Sequence, residues 1–218
     1  MADFAAARQH MVDSQIRTNK VTDPGLLSAL ADVPRERFLD RQLQDIAYID
    51  EDLAIGGGRY LMEPMVLARM IQSLDLNSGD VVLDVGCATG YAAAVMARLA
   101  TAVVGLECDD VLARQAVANC PEARVDNVVV VEGELSHGHA GQAPYQAILV
   151  NGSVPEIPEK LIAQLAEGGR LCAVIDSATG PGQAVRVVRH GATMARRVLF
   201  DANVAPLPGF ERETGFVF

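Results

Sequence analysis

The stretch Val82-Leu83-Asp84-Val85-Gly86-Cys87-Ala88-Thr89-Gly90 decides the fold. Its apolar residues around a single acid read as a strand passing through a core, and the glycines at 86 and 90 permit a sharp turn. The segment that follows, Tyr91–Leu99, places apolar residues at helical spacing. Strand, small-residue turn and helix together open a βαβ unit. The turn reads D-x-G-x-A-x-G, with Ala88 at the middle small position, and not the G-x-G-x-x-G of dinucleotide sites. A pyrophosphate seeks the N–H groups of a helix N-terminus, and Asp84 at the strand end would repel it. An acid there suits a ligand carrying an ammonium or sulfonium charge.

Working outward, β-branched runs alternate with helical ones. The expected strands are Val81–Val85, Ala102–Glu107, Asn127–Glu132, Ala147–Asn151 and Arg170–Asp176, with weaker signals at Ala184–His190 and Ala195–Asp201. Helices are expected at Tyr91–Leu99, Asp110–Asn119 and Glu156–Ala166. Continuous apolar strands joined by crossover helices predict a parallel sheet covered on both faces. The fold class is α/β: a doubly wound, mostly parallel, seven-stranded Rossmann-like sheet. Ligands of such sheets sit beyond the carboxyl ends of the central strands.

Residues before this core form a helical annex. Helical spacing covers Ala5–Lys20, and Thr22-Asp23-Pro24 reads as a cap with Pro in the first turn of a second helix reaching Ala31. Pro34 breaks that helix, Arg35–Leu39 forms another short one, and Ile55-Gly56-Gly57-Gly58-Arg59 is read as a flexible loop. Glu63-Pro64 opens a helix to Leu74, where Met65 and Met70 are helix-face core. One domain over 1–218 is expected, with 1–78 as annex and 79–218 as the cofactor-binding core.

The second strand ends at Glu107, 21 residues beyond Gly86, where an acid can accept hydrogen bonds from both hydroxyls of a ribose. Cys108 follows it. Gly133-Glu134-Leu135 follows the third strand, placed to border an adenine with a backbone N–H reaching a ring nitrogen. The ligand these acids imply is S-adenosylmethionine, with Asp84, Gly86, Cys87, Ala88, Gly90, Glu107, Cys108, Gly133, Glu134, Leu135 and Asn151 around it. The fourth strand ends in Asn151-Gly152-Ser153. It lacks the Pro-Pro-aromatic continuation used to methylate amino groups, so oxygen is the expected acceptor.

Composition narrows the class. Of 218 residues, 50% are hydrophobic and the net charge is −10, which argues for a large core and against a nucleic-acid partner, since phosphate binding needs basic surface. No apolar run reaches the length of a membrane span. The N-terminus lacks a signal-peptide core, so the cytoplasm is expected. Cys87, Cys108, Cys120 and Cys172 are widely spaced and read as reduced, buried thiols. The pair His137 and His139 in Ser136-His137-Gly138-His139 reads as a solvated loop ahead of a general base or a metal site, and no metal is expected.

Other stretches resemble protein-L-isoaspartate O-methyltransferases. Met11-Val12-Asp13-Ser14-Gln15-Ile16-Arg17 is similar to the family's opening helix, and Val33-Pro34-Arg35-Glu36-Arg37-Phe38-Leu39 to its V-P-R-E-x-F segment. Ala143–Ile148, Pro155–Pro158 and Leu165–Arg170 resemble its fourth and fifth strand region. The resemblance implies a monomeric cytosolic enzyme. It would move methyl from S-adenosylmethionine to the α-carboxylate of isoaspartyl residues in damaged polypeptides, leaving S-adenosylhomocysteine. The family's Thr-Ile-Ser-x-Pro segment is replaced by Tyr60-Leu61-Met62-Glu63-Pro64, its usual Thr after strand four by Asn151, and its middle loop glycine by Ala88. Met62 therefore stands where a hydroxyl would face the acceptor, Glu63 adds a charge, and Asn151 can position an acceptor oxygen. These departures leave two alternatives: a small-molecule O-methyltransferase on the same scaffold, or a non-catalytic cofactor-binding module. The apolar tail from Pro206 to Phe218 is expected to pack back on the sheet or the substrate cleft.

Overall fold

The computed structural model describes residues 3–177 and 179–210. Helix α1 (Phe4–Met11) starts where the Asp3 carboxylate accepts the Ala6 N–H at 3.0 Å. The helical path then loosens into a π turn at Val12–Ile16 and a 3-10 turn at Arg17–Asn19. Helix α2 (Pro24–Asp32) is capped by Asp23, whose carboxylate accepts the Leu26 N–H at 2.6 Å, and Val33 leaves it in extended conformation before Pro34. These are the starts and stops that short capping side chains and proline impose.

The stretch from Ile55 to Arg59 is not the flexible loop expected. Strands β1 (Leu53–Gly56) and β2 (Arg59–Leu61) pair antiparallel, with Gly57 and Gly58 at φ 59° and 72° between them. Two positive-φ residues in a two-residue connection match the right-handed twist of a hairpin. Helix α3 (Pro64–Leu74) follows, buries Val66, Leu67, Met70 and Ile71, and stops at left-handed Asp75.

The main sheet comprises β3 (Val81–Val85), β4 (Ala102–Glu107), β5 (Val128–Glu132), β6 (Tyr145–Val154), β7 (Leu165–Ile175), β8 (Gln183–His190) and β9 (Thr193–Asp201). Its order is β5-β4-β3-β6-β7-β8-β9, parallel from β5 to β7 and antiparallel over the last two strands. The winding reverses between β3 and β6, so a crevice opens above their carboxyl ends. Strands β5 and β9 are the margins of the sheet.

Helices α4 (Tyr91–Ala97), α5 (Asp110–Glu122) and α6 (Glu159–Ala163) make the crossovers. Helix α4 stops two residues short of the expected Leu99, and the other two differ more. Helix α5 continues through Pro121, whose missing N–H falls in the final turn. Helix α6 is shorter than Glu156–Ala166, because Leu165 already pairs with Tyr145 in the sheet and the ladder wins over helix propensity. Alternation along β3 packs Val82 against the annex helices, while Leu83 and Val85 join the opposite face with Leu161 and Leu207. Both faces of the sheet are thus covered.

The annex is tied to the sheet by the Val33–Leu39 segment. Arg35 is fully buried, donates from Nε to the Ala47 carbonyl at 2.7 Å and from Nη2 to the Met62 carbonyl at 2.9 Å, and lies 4.9 Å over the Tyr91 ring. Phe38 meets that ring edge-on at 5.5 Å, a contact worth about 0.5–1.5 kcal/mol beyond its area. Glu36 accepts the Tyr48 hydroxyl and pairs with Arg8 at 3.7 Å.

Candidate active site

The turn after β3 is pinned by its backbone. The N–H groups of Gly86 and Cys87 donate to the Leu106 carbonyl at 2.8 and 3.1 Å, and Gly90 N–H donates to Cys87 at 2.8 Å. Gly90 (φ 96°) lets α5 approach, since a Cβ there would sit 3.2 Å from both Ala116 Cβ and Cys120 Sγ. Ala88 is also left-handed, at φ 53°, a conformation that costs a non-glycine residue about 1–2 kcal/mol. Its N–H donates to Glu107 Oε2 at 2.8 Å, which holds it there. Thr89 reaches the annex through the Phe38 carbonyl at 2.7 Å.

Asp84 and Glu107 stand on adjacent strands, both fully buried. Neither Asp84 oxygen has a hydrogen-bond partner. Burial pushes its carboxyl up to about 7; the Asn151 side chain is near enough to pull it down without forming a well-directed bond. Glu107, by contrast, is fully engaged. Its Oε1 accepts the Cys108 N–H at 2.8 Å and the Asp109 N–H at 3.2 Å, and it forms a buried ion pair with Arg59.

The remaining expected residues divide. Gly133 N–H donates to the Glu107 carbonyl at 3.0 Å and Leu135 is buried, so this turn lies beside the end of β4. The Glu134 side chain is exposed and faces His137 at 3.1 Å. The Cys87 thiol is buried in the space left by Gly105, and burial raises its pKa well above the ordinary value, which makes it a poor nucleophile. All four cysteines are free, but Cys108 is exposed and not buried as expected. Gln164 holds the His137-Gly138-His139 backbone from the α6 side, accepting the His139 N–H at 2.9 Å and donating to the His137 carbonyl at 2.8 Å. Among the described residues, no group of three His, Cys, Asp or Glu is arranged to hold a metal.

Across the crevice, Met62 and Asn151 line one narrow cavity with Asp52, Arg59 and Leu207. Met62 is buried, its position fixed through its carbonyl by Arg35. Glu63 opens α3 without a side-chain cap; burial, then Asp50, Asp52 and Glu51, push its carboxyl up to about 7. Asp52 clasps two segments, accepting the Glu63 N–H at 2.7 Å and the Ala205 N–H at 3.2 Å. The 204–210 strap is stitched to β6 through Ser153, which donates to the Ala205 carbonyl and accepts the Leu207 N–H, both at 2.9 Å. Leu207 and Phe210 pack back on the sheet; the tail expected from 211 to 218 lies outside the described residues.

Four residues of this site were not singled out from the sequence: Arg59, Asp52, Leu207 and Arg35. Arg59 carried a signal, as a lone cation beside three glycines and close to four acids between 50 and 63. Asp52 and Leu207 had none, because both act by closing long-range contacts.

A seven-stranded sheet of this order, with a small-residue turn after β3 and a buried acid ending β4, defines a Rossmann-like methyltransferase. The model of the protein-L-isoaspartate (D-aspartate) O-methyltransferase family matches residues 6–208, and the chain belongs to that family. It is 40% identical over 209 residues to protein-L-isoaspartate O-methyltransferase 1 of Rhodopseudomonas palustris (strain HaA2), covering 95% of this chain and 85% of that one. With the corresponding enzyme of Koribacter versatilis (strain Ellin345) it shares 38% over 210 residues, 96% and 94% of the two chains. A solved protein-L-isoaspartate O-methyltransferase superposes with a TM-score of 0.82 at 26% identity, over 93% of this chain and 67% of that one. A Plasmodium falciparum structure, described as a complex with S-adenosyl-L-homocysteine, gives 0.80 at 21% identity, over 93% and 98%.

Proposed function

We propose that the protein is an S-adenosylmethionine-dependent O-methyltransferase acting on the α-carboxylate of isoaspartyl residues in damaged polypeptides. The observation that carries the cofactor half is Asp84: a fully buried acid with two unpartnered oxygens near the carboxyl end of the central parallel strand β3. An unpaired buried carboxylate is costly, and a positively charged ligand would relieve that cost. The residues therefore fit the cofactor, with Asp84 facing its charge, Glu107 its ribose and Gly133 to Leu135 its base. Bound there, the cofactor supplies a methyl group activated by a sulfonium.

The chain's own task is orientation and exclusion of water. A carboxylate acceptor with a pKa near ~4 is ionised at neutral pH and needs no general base, which agrees with His137 and His139 being held on the α6 side. Alignment of acceptor and donor can supply up to ~7–11 kcal/mol. Asn151 can orient the acceptor oxygen, and Met62 and Leu207 keep the cavity dry. Family membership of the whole matched span supports the carboxylate acceptor, with annex (1–78) and core (79–218) acting as one monomeric cytoplasmic unit. No helix among the described residues is long and apolar enough to cross a membrane.

Buried, apolar Met62 in place of the family's hydroxyl favours a second reading, a small-molecule acceptor. Incubation with radiolabelled S-adenosylmethionine and an isoaspartyl peptide separates the two. Base-labile methyl ester above the aspartyl control is expected; its absence, with label on a phenol or small carboxylic acid, would favour the second reading. Binding of S-adenosylhomocysteine without turnover of any acceptor would point to a non-catalytic module.

A further inference from the structure

Arg59 lies in the crevice itself, 3% exposed, reaching in from the first residue of β2. It pairs with Glu107 and donates from Nη2 to the Gly86 carbonyl at 3.1 Å. A Cβ on Gly86 would meet Arg59 Nη2 at 2.9 Å and Leu207 Cδ2 at 2.8 Å, so these two side chains cover the surface of the turn. While Arg59 remains, Glu107 Oε1 is therefore fully committed, and only Oε2, which accepts the Ala88 N–H, has room for a ribose hydroxyl. Once displaced, Arg59 would lose its ion pair and keep only Asp52 in the same cavity, whose oxygens already accept the Glu63 and Ala205 N–H groups, and a desolvated cation short of an anion is strongly unfavourable. It also borders the cavity with Met62 and Asn151, where it is the one cation among the described lining residues.

Resting on the cofactor and acceptor reading above, we infer that Arg59 is a specificity-determining residue that exchanges partners. It neutralises Glu107 in the ligand-free chain, and gives that carboxylate up to the ribose by pairing with the carboxylate of the acceptor. A guanidinium fork matches a carboxylate with two parallel N–H bonds. It replaces, on the acceptor side, the polar contact that Met62 does not offer. Methylation removes the acceptor's charge, so the ester loses this contact and Arg59 returns to Glu107. The exchange makes cofactor and acceptor binding reciprocally coupled.

The test is calorimetric and needs no turnover. S-adenosylhomocysteine is titrated into the protein alone, with an isoaspartyl peptide, and with the same peptide bearing a carboxamide in place of that α-carboxylate. The carboxylate peptide should tighten S-adenosylhomocysteine binding at least about fivefold, the carboxamide peptide not at all. In Arg59→Gln the coupling should vanish while affinity for S-adenosylhomocysteine alone stays at or above the parent's. Persistent coupling in Arg59→Gln, or a tenfold loss of S-adenosylhomocysteine affinity there, would overturn the inference and leave the cofactor reading standing. No S-adenosylhomocysteine binding to either protein would overturn both. Should Arg59→Gln not fold, Arg59→Lys keeps the charge against Glu107 without the fork. Coupling cut at least threefold supports the exchange; undiminished coupling refutes it.

Discussion

The two walls of the crevice are built differently. The wall formed by the ends of β3 and β4 is local: a nine-residue turn, one acid on each strand, and backbone N–H groups that close the turn and hold Glu107. The opposite wall takes Asp52, Arg59 and Met62 from the annex, Asn151 from β6 and Leu207 from the strap. Its pieces lie some 150 residues apart and meet only in the folded chain. The local wall carries the two acids, whereas the assembled wall carries Met62, where the family resemblance implies a hydroxyl, and the cation Arg59. The local wall can thus keep its cofactor chemistry whatever the acceptor, because its turn is closed by bonds within β3, β4 and the residues between them.

Glu107 joins the two walls, and its removal should have the largest effect. Glu107→Ala strands the Arg59 guanidinium and is expected to cost roughly 3–5 kcal/mol of stability in urea unfolding. Adding Arg59→Ala should recover most of that loss. A single-variant cost under about 1 kcal/mol would mean that the walls are energetically independent.

Asp84 tests chiefly the local wall, with burial as its dominant influence and Asn151 and Arg59 acting from the other side. Its folded pKa of about 7 lies above the unfolded value of 3.8. Between those limits the unfolded chain releases a proton that the folded chain keeps, so ligand-free stability falls as pH rises from about 4 to 7. Below that window both states are protonated, and above it both are ionised and the penalty is constant. The fall is roughly 2–4 kcal/mol, at up to ~1.4 kcal/mol per pH unit. Asp84→Asn should flatten this slope in thermal unfolding at each pH, and should weaken S-adenosylmethionine binding about tenfold or more.

Next in sequence to Met62, but not among the residues lining the cavity, Glu63 has its carboxyl pushed up to about 7 by burial and the acids at 50–52. Above that pH its charge opposes a carboxylate acceptor. Glu63→Gln should therefore raise kcat/KM for the isoaspartyl peptide about threefold or more at pH 8, a gain of ~1 kcal/mol or less, and leave it unchanged at pH 6. An equal gain at both pH values would place Glu63 outside the acceptor's field. The smallest effect belongs to the turn. Ala88→Gly relieves the left-handed backbone and should add about 0.5–1 kcal/mol, or about 1–4 °C in Tm, without changing cofactor affinity.

The same division explains what could be read from the chain. The order of alternating strands and helices, the turn at 86–90 and the acid at 107 are short-range patterns, and all five parallel strands were located within a few residues of where they lie. The hairpin is not legible because three consecutive glycines read as looseness, although two positive-φ residues between short strands define a tight turn. Helix α6 was overextended because pairing of Leu165 with Tyr145 is a tertiary event with no local trace. Arg59 was hidden for a related reason. Its partner lies 48 residues away, and sequence spacing cannot tell a cation in solvent from one turned inward.

The two margins of the main sheet are guarded unequally. Strand β9 presents Arg196 and Arg197 to solvent, and charges on an outer strand discourage another chain from pairing there. Strand β5 is Val128-Val129-Val130-Val131-Glu132, with Val129 55% exposed and only one terminal acid as a gatekeeper. When heat loosens the chain, or high concentration brings copies together, self-association should begin along β5, so that margin sets the conditions under which the protein stays clear in storage.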